Sequence, residues 1–298
     1  MVQSPTLTNW FHLIILGIVW GGTFMVISIA LEGYGPVTVA CARTTLGAVS
    51  LLIWMKLRKA PLPRREALPF ILGSGVFSTA VPFILLSWGL QYVPSSFAGV
   101  AMAFVPLFVL PIAHFFSDEA LTKRRTIGVA VGFLGAFILV GPGALGVGDW
   151  LTTLGQIASL GAALCYAVSS VQTRNCPPID PITMSAFVLV VGSVALVPAM
   201  LILEGVPSWQ GVRPSIAIIA LGLFPTAFAT ALRVLIIRSA GSVFMTLVNY
   251  QVPVWALVFG SVFLGESLPY SMLFALPLVL AGLFISQFGA LQRLFFNQ

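Results

Sequence analysis

Three consecutive polar side chains interrupt an apolar stretch of the sequence. Asn249, Tyr250 and Gln251 lie just before Pro253. Because proline has no amide hydrogen, a helix here leaves the carbonyl of Asn249 without its usual partner. Polar groups inside an apolar helix are costly unless they are buried or face water. We therefore expect this cluster to face a polar ligand; the alternative is that hydrogen bonds between helices satisfy it.

A single arginine lies deep in another apolar stretch. Arg43 follows Pro36 by seven residues, which is about 10 Å along a helix. A cation at that depth needs a partner or a water-filled cavity. Two interpretations stay open: Arg43 anchors a ligand carboxylate, or it extends to the interface or pairs with carbonyls and so fixes its helix.

Two aromatic residues and a hydroxyl share one face of the first apolar stretch. Trp20, Thr23 and Phe24 are spaced i, i+3 and i+4, so a helix presents them together. They could line a cavity or pack between helices. Gly17 and Gly21 form a GxxxG pair that favours close helix approach on a neighbouring face.

The sequence offers little material for catalysis or metal binding. His12 and His114 are far apart, the three cysteines form no CxxC pair, and no Gly-Lys-Ser/Thr sequence is present. A nucleophile with a nearby base is also missing. We therefore expect a protein that is not an enzyme and that carries no cofactor or metal.

Composition indicates that these residues are positioned by membrane helices. Hydrophobic residues make up 59% of the chain and charged residues 7%, against roughly a quarter charged in soluble domains. Apolar runs near twenty residues long can each cross a hydrocarbon core of about 30 Å. The sequence predicts an all-α polytopic membrane protein with ten transmembrane helices, near 10–31, 36–56, 67–92, 96–117, 124–142, 150–172, 182–203, 214–237, 241–264 and 269–290.

The basic residues indicate topology rather than nucleic-acid binding. With both termini in the cytoplasm, eleven Lys and Arg residues lie inside and Arg213 alone lies outside, which matches the positive-inside rule. We therefore expect a multi-pass protein of the bacterial inner (plasma) membrane. Every carboxylate falls at a helix end or in a loop of this arrangement: Glu32, Glu66, Asp118, Glu119, Asp149, Asp180, Glu204 and Glu266.

The two halves of the chain resemble each other at an offset of 147 residues. Phe77, Thr79, Pro106, Glu119 and Gly135 align with Phe224, Thr226, Pro253, Glu266 and Gly282. Five helices is an odd number, so the halves 1–145 and 146–298 would be inverted repeats forming one transport domain.

The aligned residues also have expected structural roles. Proline is expected to interrupt predicted helices 3, 4, 8 and 9, and Pro106 would free the carbonyl of Met102. Glu119 and Glu266 are each expected to cap the helix that follows.

These features resemble the drug/metabolite transporter superfamily, specifically its EamA-type members, over nearly the whole chain. The matching residues are Trp20-Gly21-Gly22-Thr23-Phe24, Pro36, Arg43, and Pro106, Glu119 and Gly135 with their copies. Within that superfamily the chain looks most like the YddG-type aromatic amino-acid exporters. The counterpart of the first motif reads Cys165-Tyr166-Ala167-Val168-Ser169, so the two halves are expected to contribute unequally.

The resemblance implies export of a small metabolite by alternating access. One cation with aromatic and hydroxyl side chains suits a small zwitterion such as an amino acid, aromatic ones included. Because no buried acid can relay protons, we expect facilitated diffusion; a proton-coupled efflux antiporter and a passive channel stay as alternatives. The candidate substrate-binding residues are Trp20, Thr23, Phe24, Arg43, Phe77, Thr79, Trp88, Met102, Tyr166, Ser169, Thr226, Asn249, Tyr250 and Gln251.

The expected partners are the substrate and the lipid bilayer, with no nucleic acid. Gly128 and Gly132 could join two copies into a weak homodimer, or pack within a monomer.

Overall fold

The computed structural model describes residues 5–117, 121–141 and 149–295, except for the side chains of Arg293 and Phe295. Across these ranges the chain forms helices and connecting turns, with no β-strand. We label the helical segments in chain order: α1 Leu7–Leu31, α2 Pro36–Leu57, α3 Arg65–Gly89, α4 Ser95–Phe116, α5 Lys123–Val140, α6 Trp150–Asn175, α7 Pro181–Leu203, α8 Val212–Met245, α9 Val248–Leu264 and α10 Tyr270–Phe295.

The length and composition of these segments suit a membrane. In the described part of the chain, eight helices are long and apolar enough to cross a bilayer, and α9 is a shorter apolar helix. Large apolar side chains also cover the outer surface, including Phe115, Ile202 and Val262, which are 77%, 81% and 69% exposed. The expected all-helical fold of a polytopic membrane protein is thereby confirmed for the described ranges.

Local carboxylates cap two of the helices in the second half. Asp149 accepts a hydrogen bond from Leu151 N at 3.3 Å at the start of α6. Asp180 accepts from Ile182 N and Thr183 N at the start of α7. These side chains satisfy amide groups that a helix cannot pair within itself.

Two other helices are capped by carboxylates that are distant in sequence. Glu204 accepts from Val37 N and Thr38 N, both at 2.8 Å, at the start of α2. Glu266 accepts from Ser95 N at 2.6 Å and Ser96 N at 3.0 Å, at the start of α4. The expectation that Glu266 caps the following helix was therefore wrong, because it caps α4 instead. Glu119 lies outside the described residues.

Glycines allow the closest helix contacts. A Cβ atom on Gly282 of α10 would lie 2.8 Å from the Cα of Gly132 in α5, and one on Gly128 would lie 2.6 Å from the carbonyl oxygen of Gly282. The Gly128 and Gly132 pair therefore packs within the chain. In the same way, a Cβ on Gly17 of α1 would lie 2.7 Å from Oε1 of Gln251 in α9.

The predicted interruptions are present in altered form. Helix α3 contains a π-helical turn at Val76–Ala80, just before Pro82, and α8 contains one at Gly222–Phe228 around Pro225. Helix α4 narrows to a 3-10 turn at Met102–Phe104 before Pro106. Pro253, by contrast, lies inside a continuous α9. The breaks fall earlier: the backbone of Gly241 is non-helical (φ 86°, ψ 164°) and kinks α8, and a turn at Thr246 and Leu247 separates α8 from α9.

The main packing contacts join helices from opposite halves of the chain. Helices α2 and α7 pack together, as do α4 with α9 and α5 with α10. Helix α1 packs against α8 and α9, while α6 packs against α3 and α4. Adding five to each helix number of the first half, or subtracting five in the second, converts these pairings into one another. Because each pairing joins the two halves, neither half forms its own separate core.

We expect Gly282→Ala to destabilise the protein by roughly 1–3 kcal/mol, because its new methyl group would overlap the α5 backbone, which cannot rotate away. Gly289→Ala, in the same helix, is the matched control, since a Cβ there has no described atom within 4 Å. Thermal unfolding of the purified protein in detergent measures both. Equal melting temperatures for the two variants would contradict this account of the α5–α10 contact.

Candidate functional site

Arg43 is a buried cation with one weak hydrogen bond. Its side chain is 5% exposed, and its Nη2 lies 3.5 Å from Oγ1 of Thr226. The guanidinium carbon lies 3.9 Å from the ring centroid of Phe83, a cation–π contact. Its Nε has no hydrogen-bond partner among the described residues, and no described carboxylate pairs with it. Arg43 therefore retains donor capacity directed into the protein interior.

The π-helical turn of α8 positions Thr226 for this contact. Thr226 Oγ1 donates to Leu221 O, five residues earlier, at 2.8 Å. Since its proton is used there, the hydroxyl oxygen can only accept from Arg43. Gly47 in α2 lets α8 come close, because a Cβ on Gly47 would lie 3.2 Å from the Cβ of Thr226.

Trp20 and Tyr166 complete the group around Arg43. Trp20 Nε1 donates to Pro225 O at 3.3 Å, next to Thr226 in the chain. Tyr166 is half-buried and packs against the group of buried side chains that contains Phe83. We call the set of Trp20, Arg43, Phe83, Tyr166 and Thr226 the arginine cluster. Helices α1, α2, α3, α6 and α8 each contribute one of its residues.

A second contact between the two halves is related to this one but lacks the cation. Thr79 lies in the π-helical turn of α3 and donates to Gly75 O. It packs against Gly192 of α7, as Thr226 packs against Gly47 of α2. An offset of 145 residues relates the two glycines, and it places Val188 where α2 has Arg43. The two contacts share a backbone arrangement, but one carries the charge.

The remaining candidates of α1, α3, α4 and α6 lie outside the arginine cluster. Thr23 donates to Val19 O at 3.0 Å, and Phe24 is buried near Gly99 of α4. Phe77 and Met102 are half-buried in the turns of α3 and α4. The ring of Trp88 lies 4.9 Å from that of Tyr92, and Ser169 is buried in α6.

The three polar side chains of α9, Asn249, Tyr250 and Gln251, lie in different surroundings. The Gln251 side chain packs against Gly17 of α1, at a helix contact. The hydroxyl of Tyr250 is buried and has no hydrogen-bond partner within the described ranges. Asn249 is half-buried, and its backbone N–H bonds Thr246 O at 3.1 Å.

Phe83 is the residue that sequence reasoning missed. It is one of many phenylalanines in apolar helices, and nothing in its neighbourhood marks it except Pro82. Its role comes from its position beneath Arg43, which depends on the packing of α2 against α3.

Comparison with known proteins agrees with this architecture. The sequence model of the EamA-like transporter family matches residues 9–141 and 153–288. The chain belongs to this family. One solved structure superposes on it with a TM-score of 0.67 at 19% identity, over 95% of this chain and 98% of that one, which supports the fold.

Relatives of this family member are described as transporters. The chain is 25% identical to the uncharacterized transporter YoaV of Bacillus subtilis, over 93% of this chain and 95% of YoaV. It is 29% identical to the uncharacterized inner membrane transporter YedA of Escherichia coli K12, over 85% and 82%. A probable terminal-alkyne amino-acid exporter of Streptantibioticus cattleyicolor is 27% identical, over 91% and 88%. The EamA resemblance and a transport function are thus confirmed; the likeness to YddG-type exporters stays a prediction.

We expect Trp20→Phe to lower stability by about 1 kcal/mol, because it removes the donor to Pro225 O in an apolar interior. Trp150→Phe is the control, since Trp150 is 67% exposed at the start of α6. Thermal unfolding in detergent compares the two variants. A Trp20→Phe protein as stable as the control would show that the indole hydrogen bond is not needed.

Proposed function

We propose that this EamA-family protein is a secondary transporter that exports small zwitterionic metabolites, amino acids and their aromatic members included. The observation that carries the proposal is Arg43, a buried guanidinium without a carboxylate partner among the described residues. A charge in an apolar interior is costly unless it is paired. A substrate carboxylate would supply that pair.

The proposal includes ten membrane spans arranged as two inverted repeats, 1–145 and 146–298, with both termini cytoplasmic. The matching of the family model to two segments supports a duplication. So do the π-helical turns of α3 and α8, which an offset of 147 residues superimposes on each other. The basic residues favour this orientation in the inner membrane. Two halves of opposite orientation can exchange conformations and so alternate access to a shared site.

The chemistry of the arginine cluster suits an amino acid. Arg43 has donors for a carboxylate. The Thr226 hydroxyl gives its proton to Leu221 O, so toward a ligand it acts as an acceptor, which an ammonium group needs. Outside the cluster, the hydroxyls of Thr23 and Thr79 are bonded to backbone carbonyls in the same way. Trp20, Phe83 and Tyr166 provide aromatic surface for the side chain. The relative named as a probable terminal-alkyne amino-acid exporter supports this substrate class.

The positions of the acidic residues favour facilitated diffusion, which is transport without ion coupling. The described carboxylates all lie at helix ends or in turns, away from the helix centres where proton relays usually lie. A proton-coupled antiporter is the second candidate, and His12 favours it, because its Nδ1 is buried in α1 without a hydrogen-bond partner in the described structure. A passive channel would differ from both in lacking exchange stimulation.

We expect Arg43→Gln to reduce amino-acid counterflow roughly tenfold or more, because a lost charge-assisted hydrogen bond costs about 1.5–3 kcal/mol. Arg43→Lys should recover only part of the flux, since lysine cannot bind a carboxylate bidentately. The measurement uses purified protein in liposomes with phenylalanine, tryptophan, threonine and methionine against a sugar phosphate. Arg64→Gln, on the exposed α2–α3 connection, is the charge-matched control.

Size-exclusion profiles and melting temperatures show whether each variant is folded. Undiminished counterflow in a folded Arg43→Gln protein would remove the carboxylate role. Flux without exchange stimulation in the natural protein would favour the channel.

We expect an imposed pH gradient, with no substrate gradient, to drive no net amino-acid movement, because no described acid is placed to relay protons. Liposomes with a potassium-clamped membrane potential provide the measurement. Uphill movement that His12→Gln abolishes would instead establish the antiporter.

A further inference from the structure

A cleft of about 690 Å³ opens between α1, α2 and α8 on the side of the proposed cytoplasmic surface. Four polar residues lie at its mouth: His12 of α1, Arg58 at the end of α2, and Arg238 and Ser239 of α8. The deeper lining is apolar, so the cleft has a charged end and a hydrophobic end. The arginine cluster contributes none of its lining.

The mouth of the cleft carries positive charge. The guanidinium of Arg58 lies 5.6 Å from the ring centroid of Trp54, and no described carboxylate pairs with it. Arg238 lies 3.5 Å from Asp180, but its side chain is still 54% exposed. Asp180 also accepts two backbone hydrogen bonds at the start of α7, so its charge is shared. The mouth therefore favours an anion.

The apolar part of the cleft has the length of one bilayer leaflet. Along α8 it runs from Phe228 to Ser239, and eleven residues of helix span about 16 Å. Half of a hydrocarbon core is about 15 Å. Phe228 and Leu235, which line this groove, are 45% and 46% exposed, so they require apolar cover in the membrane.

We propose that this cleft binds one anionic phospholipid of the cytoplasmic leaflet. Arg58 and Arg238 contact the headgroup phosphate, and an acyl chain lies along α8 as far as Phe228. A water-soluble anion would match the mouth but leave the groove uncovered; a neutral lipid would match the groove but not the two arginines. Basic pockets beside transmembrane helices are suited to such headgroups.

Phe228 belongs to the same π-helical turn as Thr226. The bound acyl chain therefore packs on the segment of α8 that contacts Arg43, and lipid occupancy stabilises that turn. The proposal uses the cytoplasmic orientation given above but not the transport activity, so lipid binding and amino-acid flux are separate readouts.

Native mass spectrometry of the delipidated, full-length protein tests the charge match. Phosphatidylglycerol is titrated against phosphatidylcholine with the same acyl chains. We expect clear preference for phosphatidylglycerol, and about 30-fold weaker binding in the Arg58→Gln, Arg238→Gln double variant, since each basic residue contributes about fivefold. The control is Arg64→Gln with Arg65→Gln, which removes the same charge from exposed residues outside the cleft.

A second pair of variants tests the acyl groove. Leu235→Gln should weaken binding of long-chain phosphatidylglycerol, whereas Val262→Gln, on exposed surface of α9, should not. Both positions are exposed, so neither change should prevent folding. Phosphatidylglycerol should also raise the melting temperature of the natural protein more than that of the double arginine variant.

Three results would overturn the proposal. The first is equal binding of the two lipids, and the second is unchanged phosphatidylglycerol binding in the double variant. The third is complete displacement of the lipid by millimolar inorganic phosphate, which would assign the mouth to a soluble anion. If the second result is accompanied by loss of amino-acid flux in the double variant, the cleft is instead a substrate entrance.

Discussion

Every backbone amide and carbonyl in this apolar chain needs a partner within the protein, and most of the architecture follows from that requirement. Within a helix the backbone groups bond one another, so only the groups at helix ends and breaks need other partners. At the ends of α2 and α4 the partners are Glu204 and Glu266, which come from distant loops. These carboxylates join parts of the chain that neither hydrophobicity nor helix propensity would bring into contact.

The same requirement explains why the breaks and the arginine cluster coincide. A π-helical turn alters the regular hydrogen-bond pattern, and in α8 the groups nearby are bonded by side chains: Thr226 donates to Leu221 O and Trp20 to Pro225 O. Those two side chains then form two walls of the site around Arg43. The irregular backbone thus holds two of the side chains that surround Arg43, and the oxygen of Thr226 is left to accept from it.

The helix contacts between the two halves are alike in their backbone arrangement but differ in one charged side chain. Gly47 and Gly192 admit Thr226 and Thr79 in equivalent contacts, which gives the halves a common scaffold. Arg43 and Val188 then break the equivalence, because one contact holds a guanidinium and the other a buried aliphatic chain. Under the proposed function, a single charge in such a frame would orient a zwitterion, since its carboxylate could bind at only one of the two equivalent places.

The sequence by itself determined the helices, their breaks in α3, α4 and α8 and the family, and it named four residues of the arginine cluster as candidates. These follow from local causes: apolar runs of membrane length, the missing amide of proline, and the cost of a buried cation. Only the tertiary structure decided that Phe83 lies beneath Arg43, that Glu266 caps α4, and that Gln251 meets Gly17. Each of these joins residues of different helices, and apolar helices resemble one another too closely for sequence alone to reveal which faces meet.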